Sequence, residues 1–410
     1  MSVRELLAEI ADIGRDPVRG GYSRHLFDDA DTPLRAWFVA RATGLGLRVE
    51  SDGNANLWAW WDAGDPAVGA IATGSHLDSV PGGGAYDGPL GVVCALEAVR
   101  LLQAEGFRPA RPVVVCVFAE EEGSRYNVPC LGSRLLVGAA DPATLLDRLD
   151  ADGVTLADAW RAAGRDPQEM GADAARLQHL AAFVELHVEQ GRDLVDRGSA
   201  LAVATAIIPH GRWRLAFDGE GNHAGTTPMT DRRDPVVALA GTVLAVREAA
   251  SRGGPLARAT VGRVRVTPGG SNVIASRAEA WVDIRAESDD VVAALRDGIL
   301  VEATRVAERE GCTVTATEES FSTRAAFDPA LRDRLAAVLG GVPAIPTGAG
   351  HDAGILSGHL PTAMIFVRNP TGVSHAPGES ATDEDAEAGA VGLAAVLREL
   401  AGTQGEGAAG

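Results

Sequence analysis

The sequence predicts an α/β fold: a domain with a mixed, mostly parallel sheet covered by helices, plus an inserted, smaller α+β domain. One observation is the order strand, helix, strand over residues 68–118, which is typical of βαβ units. Another is the run 112–118, which is apolar at every position and rich in β-branched residues, as in a strand buried on both faces. A third is a change in the order of predicted strands and helices near Arg212, after which about one hundred residues follow the order β-α-β-β-α.

The alternation of strands and helices typical of the larger domain resumes after Phe321. We therefore expect the smaller domain to be inserted into the larger one. We expect the larger domain to comprise residues 1–209 and 322–410, and the inserted domain to comprise residues 210–321. At 410 residues, the chain is long enough for two domains.

The elements follow from apolar spacing and β-branched runs. In chain order the larger domain is predicted to contain a mostly helical segment 1–46, a strand 68–73, a helix 90–102, a strand 112–118, exposed helices within 141–180, a strand 183–188, a strand 363–367 and a helix 382–401. The inserted domain is predicted to contain a strand 213–217, a helix 235–250, strands 259–267 and 278–285, and a helix 289–309. The Gly/Ala-rich tail 402–410 is predicted to be disordered.

Composition limits the classes of function. The formal net charge is −19 at pH 7, and we expect no nucleic-acid surface because binding a polyanion needs neutralising cations. No apolar run approaches the roughly 20 residues that cross a bilayer, and the N-terminus lacks the charged-then-apolar pattern of a signal peptide. The four cysteines form no CxxC pair, which fits reduced thiols in a cytoplasmic protein.

Metal-ligating residue types follow several of the predicted strands. His76 comes directly after an apolar strand, and the glycine-rich segment 82–88 lets the backbone turn and bring Asp87 back toward that strand end. His187 and His375 lie at or just after the ends of two further apolar strands. Carboxyl ends of parallel strands meet at one sheet edge, so these side chains are expected to converge.

Three consecutive carboxylates, Glu120–Glu122, follow the central strand 112–118. Their mutual repulsion costs free energy unless cations offset it. The alternative interpretations are a charged strand cap in water and, for Asp87, a solvated side chain in a glycine turn. Three imidazoles with carboxylate oxygens suit Zn²⁺, Mn²⁺, Co²⁺ or Ni²⁺ and lack the thiolates of a structural zinc site. Together the residues predict a two-metal hydrolase site, without choosing among the three glutamates.

These motifs resemble the M20 family of dinuclear metallopeptidases, and specifically its amidohydrolase branch of N-carbamoyl-L-amino acid hydrolases, β-ureidopropionases and allantoate amidohydrolases. The resemblance covers nearly the whole chain, residues 5–402, with the motifs in the same order and at similar long spacings. The segments that carry it are Gly74–Ser79, Tyr86–Val92, Glu120–Arg125, Glu185–Gly191, Asn222–Met229, Gly269–Ile274, Gly348–Ala353 and Ser374–His375.

The resemblance implies two divalent ions per subunit, Mn²⁺ or Zn²⁺, with Co²⁺ or Ni²⁺ as further options. It implies that Asp87 bridges the two ions. His76 and His187 complete one metal site, and Glu122 and His375 complete the other. Glu121 is then the general base, because the family's base and ligand are the last two glutamates before the glycine.

The resemblance also implies a lid that forms a homodimer and completes the substrate site. His223 is expected to reach the neighbouring subunit's site and stabilise the oxyanion. Arg285 is expected to pair with the substrate carboxylate, since a guanidinium fork matches it. Gln190 and Asn272 are expected to hydrogen-bond the ureido or carboxylate group, and His351 belongs to a Gly-His-Asp turn near the site.

The implied reaction is hydrolysis of the carbamoyl (ureido) C–N bond of a small substrate with a free carboxylate, which releases an amine, CO₂ and ammonia. N-carbamoyl-L-amino acids and allantoate both fit. The alternative enzyme is an aminoacylase or dipeptidase of the same superfamily, and a different class is a non-catalytic binding protein on this fold. We expect a small-molecule substrate, a homodimer and no nucleic-acid or membrane partner.

Overall fold

The computed structural model describes residues 2–404. Packing divides the chain into two units: the first runs to Ala206 and resumes at Ala326, and the second is Ile207–Ala325. The predicted disordered tail lies outside the described residues from 405 onward. Before that point the prediction is wrong, because Thr403 forms a β-bridge with Pro109 and the Gln404 N–H donates to the carbonyl of Arg108 at 3.0 Å.

Helices and strands follow in chain order. Over the described residues the α-helices are α1 (Val3–Glu9), α2 (Asp31–Gly44), α3 (Pro89–Ala104), α4 (Leu131–Leu136), α5 (Leu156–Ala162), α6 (Ala174–Gln178), α7 (Asp193–Arg197), α8 (Pro235–Arg252), α9 (Asp289–Arg309), α10 (Pro329–Val338), α11 (Asp352–Leu356) and α12 (Asp383–Ala401). The strands are β1 (Arg48–Ser51), β2 (Leu57–Trp61), β3 (Ala70–His76), β4 (Val113–Phe118), β5 (Leu180–Val188), β6 (Leu201–Ile207), β7 (His210–Asp218), β8 (Asn222–His223), β9 (Arg258–Thr267), β10 (Val273–Ile274), β11 (Arg277–Arg285), β12 (Thr313–Ser322), β13 (Ala325–Ala326), β14 (Ala344–Thr347) and β15 (Thr362–Val367).

A mixed sheet forms the centre of the first unit, in the order β1-β2-β4-β3-β5-β15-β6-β13, with β14 paired to β6. The four central strands β4, β3, β5 and β15 run parallel. Every residue of β3, β4 and β15 is buried, as expected for strands covered on both faces. Helices α3 and α12 pack into the core on one face, and on the other face Phe118 contacts Trp58 and Phe183 edge-on. The predicted α/β class is therefore confirmed.

Several elements differ from the sequence expectation. Residues 1–46 hold the two helices α1 and α2, separated by a loop that hydrogen bonds of Asp16 and Asp28 stabilise. Residues 141–180 are mostly turns, with only α5 and α6 as short helices, and Trp160 is buried instead of exposed. Asp and Pro residues at turn positions interrupt helices that alanine content alone favours.

The second unit is an antiparallel sheet in the order β12-β7-β11-β9, with α8 and α9 packed on one face. Alternate residues of β11, including Ala278, Val282 and Ile284, are buried in its core. The short ribbon of β8 and β10 and the edge strand β12 were not predicted, because each strand of the ribbon has only two residues and β12 is largely polar. Within residues 2–404 we find no helix that combines the length and apolar character needed to cross a bilayer.

Candidate metal centre

Four strand ends deliver the candidate ligands to one edge of the sheet of the first unit. His76 is the last residue of β3, and His187 is the penultimate residue of β5. Glu122 follows β4, and His375 follows β15. Because these four strands are adjacent and parallel, their carboxyl ends lie side by side.

Asp87 lies at the centre of this group, and its two carboxylate oxygens face different imidazoles. Oδ1 lies 3.2 Å from His187 Nε2 and 3.5 Å from His76 Nε2. Oδ2 lies 3.3 Å from His375 Nε2, which in turn lies 3.5 Å from Glu122 Oε2. The ligand atoms of His76, Asp87 and His187 form one cluster, and those of Asp87, Glu122 and His375 form a second, each compact enough to hold one metal ion. One carboxylate therefore links two candidate metal sites.

The two buried imidazoles are oriented by their other ring nitrogens. His76 Nδ1 lies 3.0 Å from the carbonyl of Asp78, and His187 Nδ1 lies 2.9 Å from the carbonyl of Val188. A carbonyl accepts only from a protonated nitrogen, so each neutral ring presents an unprotonated Nε2 toward Asp87. Both Nε2 atoms are buried and have no hydrogen-bond partner among residues 2–404. Buried lone pairs of this kind fit a metal ligand, and carbonyl-held imidazoles are typical of metal sites.

Asp78 fixes the segment that carries the glutamates. Its carboxylate accepts from the N–H of Glu121 at 3.2 Å and from the N–H of Glu122 at 3.0 Å. Glu120 points elsewhere, and its Oε1 accepts from the N–H groups of Arg125 at 2.7 Å and Tyr126 at 2.8 Å. The backbone of Glu120 has a φ of 55°, and this left-handed conformation turns it away from the two glutamates that follow. The geometry thus separates three residues that the sequence leaves equivalent.

Charge and burial shift the pKa values of these groups in opposite directions. Burial raises the pKa of Asp87, but the positive charge that the imidazoles of His187, His375 and His76 carry when protonated outweighs it and holds the pKa well below its usual range. The bond to Asp87 raises the pKa of His375 to about 9. Burial raises the pKa of Glu122 to about 7, with a further contribution from the charge of Asp87. Such a concentration of perturbed groups is typical of functional sites.

Glu121 follows β4, as Glu122 does, but belongs to neither cluster. Its Oε2 lies 3.7 Å from His76 Nε2, and its Oε1 accepts from the Cys130 thiol at 3.3 Å. Burial raises its pKa well above the usual value, and the charge of His76 opposes that rise. A carboxylate in this position is suited to hold and release a proton.

Two further predicted residues lie beside the centre. Gln190 Nε2 donates to Asp87 Oδ2 at 2.8 Å and to Ser374 Oγ at 3.0 Å. The His351 ring packs edge-on against His187, with the ring centres 4.5 Å apart. Both are therefore in contact with candidate ligands.

Two buried acids lie around His351: Glu185, to which the sequence analysis assigned no role, and Asp352, which it placed in the Gly-His-Asp turn near the site. Glu185 accepts from the Ser75 hydroxyl at 2.8 Å and from the Ala353 N–H at 2.9 Å. Asp352 accepts from the Ser133 hydroxyl. Glu185 lies two residues before His187 on the same strand face, and this spacing is the signal that could have identified it.

The remaining predicted residues belong to the second unit and fall into two places. His223 on β8 pairs with Val273 on β10, which follows Asn272. The Gly225 N–H donates to His223 Nδ1 at 3.0 Å, so the neutral ring carries its proton on Nε2. Arg285 is the last residue of β11, and at roughly 3.3 Å per residue it lies about 26 Å from the first residue of that strand. Its guanidinium contacts both carboxylate oxygens of Asp283, at 2.8 and 3.3 Å.

The fold and the ligand clusters together define a divalent-metal hydrolase. The model of Peptidase family M20/M25/M40 matches residues 72–399, and the chain belongs to this family. The resemblance on which the sequence prediction depends is thereby confirmed.

Relatives and solved structures match along nearly the full chain. An N-carbamoyl-L-amino acid amidohydrolase of Geobacillus stearothermophilus is 35% identical, over 98% of both chains. An allantoate amidohydrolase of Escherichia coli strain K12 is 31% identical, also over 98% of both chains. A hydantoinase/carbamoylase family amidase of Burkholderia ambifaria has a TM-score of 0.87 and 31% identity, over 98% of both chains. These amidohydrolases confirm the predicted enzyme class, a hydrolase of C–N bonds.

Proposed function

We propose that this protein hydrolyses the carbamoyl C–N bond of a small ureido compound that bears a carboxylate. N-carbamoyl-L-amino acids and allantoate are the two substrate types, and the products are an amine, CO₂ and ammonia. The observation that carries the proposal is Asp87, whose two oxygens face two separate sets of ligands. The names of the amidohydrolase relatives support the choice of a carbamoyl group.

Two divalent ions per subunit are proposed, Mn²⁺ or Zn²⁺, with Co²⁺ or Ni²⁺ also compatible with the ligand types. His76 and His187 hold one ion and Glu122 and His375 hold the other, with Asp87 shared between them. When bound, such a pair lowers the pKa of a water molecule and polarises the substrate carbonyl. The buried, unpartnered Nε2 atoms of His76 and His187 support this assignment.

Glu121 is proposed as the general base. It takes a proton from the attacking water and passes it to the leaving nitrogen, because a poor electrophile such as a ureido carbonyl needs both transfers. Its position beside His76, outside both ligand sets, supports this role.

The other predicted residues are proposed to bind substrate. Arg285 pairs with the substrate carboxylate, and the contact with Asp283 holds its fork in one orientation. Gln190, Asn272 and His351 hydrogen-bond the ureido and carboxylate groups. His223 donates from Nε2 to the oxyanion in the neighbouring subunit's site.

Dimerisation through residues 210–321 is part of this proposal. Strand β9 is an edge of its sheet, and Val264 on it is 54% exposed. Helix α8 exposes Val237 and Leu244, one heptad apart, with Leu244 67% exposed. A long open edge beside exposed apolar side chains is typical of an interface, since an unpaired edge otherwise invites aggregation.

A cytoplasmic location is also proposed. Cys94, Cys116, Cys130 and Cys312 are free and buried. Burial raises the pKa of each of these thiols and keeps them protonated. Unpaired buried thiols suit a reducing compartment. Fractionation of the source cells by immunoblot tests this location.

The experiment that tests the function is turnover of a substrate panel by Mn²⁺-loaded protein. Ammonia release is measured for allantoate, N-carbamoyl-β-alanine and several N-carbamoyl-L-amino acids, and free amine for an N-acetyl amino acid and a dipeptide. We expect turnover of ureido compounds only. Cleavage of the acetyl or peptide substrate instead assigns the protein to the aminoacylases or dipeptidases, and absence of turnover and of bound metal indicates a binding protein.

A further inference from the structure

Glu379 contacts the backbone of the segment that carries Asp87. Its side chain is 5% exposed, and Oε1 accepts from the N–H of Tyr86 at 2.9 Å and from the N–H of Asp87 at 2.8 Å. A carboxylate bonded to two successive N–H groups fixes the peptide plane between them. The orientation of the Asp87 side chain depends on that plane, because it sets the direction of the Cα–Cβ bond.

The same carboxylate lies tightly against Gly84. A Cβ atom on residue 84 meets Glu379 Oε1 at 2.2 Å and Glu379 Cβ at 2.5 Å, both closer than real contacts allow. The glycine-rich turn therefore packs this closely against Glu379 only because residue 84 has no side chain. Glu379 also follows His375 by four residues, so one side chain joins the segment of one candidate ligand to the segment of another.

We propose that Glu379 is a positioning residue that holds Asp87 so that its two oxygens point to the two metal sites. The inference depends on the proposed function, in which Asp87 is the shared ligand. A bridging carboxylate has less freedom than a terminal one, since rotation that improves one contact worsens the other. Residues behind metal ligands set their orientation, and their loss costs about 10–100-fold in metal affinity.

Glu189 provides a matched control in the same unit. It is also a glutamate with 5% exposure, and it accepts from two successive N–H groups, those of Asp193 at 2.5 Å and Leu194 at 3.2 Å. These N–H groups begin helix α7 and do not belong to a candidate ligand segment. Loss of either glutamate leaves two backbone donors unpaired, so a general structural cost affects both variants alike.

The test measures Mn²⁺ affinity by competition with a chelator, on folded full-length protein, together with thermal unfolding of the metal-free form. Glu379→Ala is expected to weaken Mn²⁺ binding about 10–100-fold, while Glu189→Ala keeps the affinity of the unmodified protein. Glu379→Gln retains a carbonyl acceptor for both N–H groups and is expected to recover most of the affinity. Equal affinity in Glu379→Ala and Glu189→Ala overturns the proposal.

A second variant changes the glycine side of the contact between Gly84 and Glu379. It replaces Glu379→Ala in the test if Glu379→Ala does not fold. Gly84→Ala displaces the Glu379 carboxylate and is expected to weaken Mn²⁺ binding in the same way, whereas Gly358→Ala, where nothing lies within 4 Å, does not. Unchanged affinity in Gly84→Ala contradicts the positioning role. Asp87→Asn distinguishes a failure of the positioning role from a failure of the proposed function. If that variant still binds two ions, Asp87 is not the ligand that the two ions share.

Discussion

Glu121 is buried among like charges. Burial raises its pKa, as do the charges of Asp352, Glu122 and Asp78, whereas the charge of His76 lowers it. The charge that this carboxyl group carries is therefore set by its surroundings and not by its intrinsic acidity.

Glu121→Gln is expected to keep two bound ions and lose activity about 10²–10⁴-fold, because an amide cannot accept the proton. Metal content by plasma emission and kcat on the best substrate measure the two properties separately. Glu120→Gln is the control, since its carboxylate accepts from the backbone N–H groups of Arg125 and Tyr126 and belongs to neither ligand cluster. Retained turnover in Glu121→Gln contradicts the assignment of the base.

Asp283→Asn is expected to raise KM for carboxylate substrates and to remove about 1 kcal/mol of stability at pH 7. Burial raises the pKa of Asp283, but the bond to Arg285 outweighs it and the net pKa is lowered. A lowered carboxyl pKa stabilises the fold above the unfolded pKa near 4 and loses this effect as pH falls through the folded pKa. Urea unfolding of both proteins at pH 7 and pH 3 should therefore show a larger difference at pH 7 than at pH 3.

The residue types of the site could be predicted from sequence, but the division of labour among neighbours could not. Glu120, Glu121 and Glu122 are identical in composition and context along the chain. The left-handed backbone at Glu120 separates them, as do the hydrogen bonds that the N–H groups of Glu121 and Glu122 donate to Asp78, and neither feature leaves a signal in residue type. Only the family resemblance ranked them.

Strand β3 depends on a glycine at the point where it approaches β4. Gly74 faces the carbonyl of Cys116, and a Cβ there lies 1.9 Å from that oxygen. The contact atom belongs to a backbone in the middle of a parallel sheet and cannot rotate aside. His76 is two residues further along the same strand, so the spacing of the sheet fixes where this ligand lies.

Gly74→Ala is expected to destabilise the protein by at least about 3 kcal/mol, the upper range for overpacking. Gly298→Ala on α9 is the control, because nothing lies within 4 Å of a Cβ there and Ala in an exposed helix stabilises by about 0.5–1 kcal/mol. Chemical denaturation measures both. Similar unfolding midpoints for the two variants show that the sheet tolerates the added methyl group.

Elements with a strong apolar period could be predicted and polar ones could not. Strand β4 and helix α3 are apolar almost throughout and match their predicted positions. Residues 141–180 have the composition of helices, but Asp141 and Asp166 cap short turns that begin with proline and stop propagation. Cap geometry overrode helix propensity there.

At the scale of the whole molecule, the order of predicted strands and helices changes twice along the chain, and this change predicts the insertion. The convergence of ligands that are far apart in sequence depends instead on the order of the strands in the sheet. His76 and His375 meet only because β15 inserts beside β5. Nothing local in the sequence specifies that pairing.

His223 lies on β8 of the second unit. Its proposed role in the neighbouring subunit's site gives a test of the assembly. Glu121→Gln and His223→Ala are each expected to be inactive as homodimers. After subunit exchange, about one quarter of full activity should return, since half of the dimers are mixed and each has one intact site. Mixed dimers that form without activity would show that His223 does not serve the neighbouring subunit.

The proposed metal ligands are far apart in the sequence, and this separation has a consequence for biosynthesis. His187 is synthesised about 190 residues before His375, an interval of about 10–40 s at roughly 5–20 residues per second. For most of that interval the chain lacks both β15 and one of the five proposed metal ligands. The proposed two-metal centre can therefore be complete only after His375 has been synthesised.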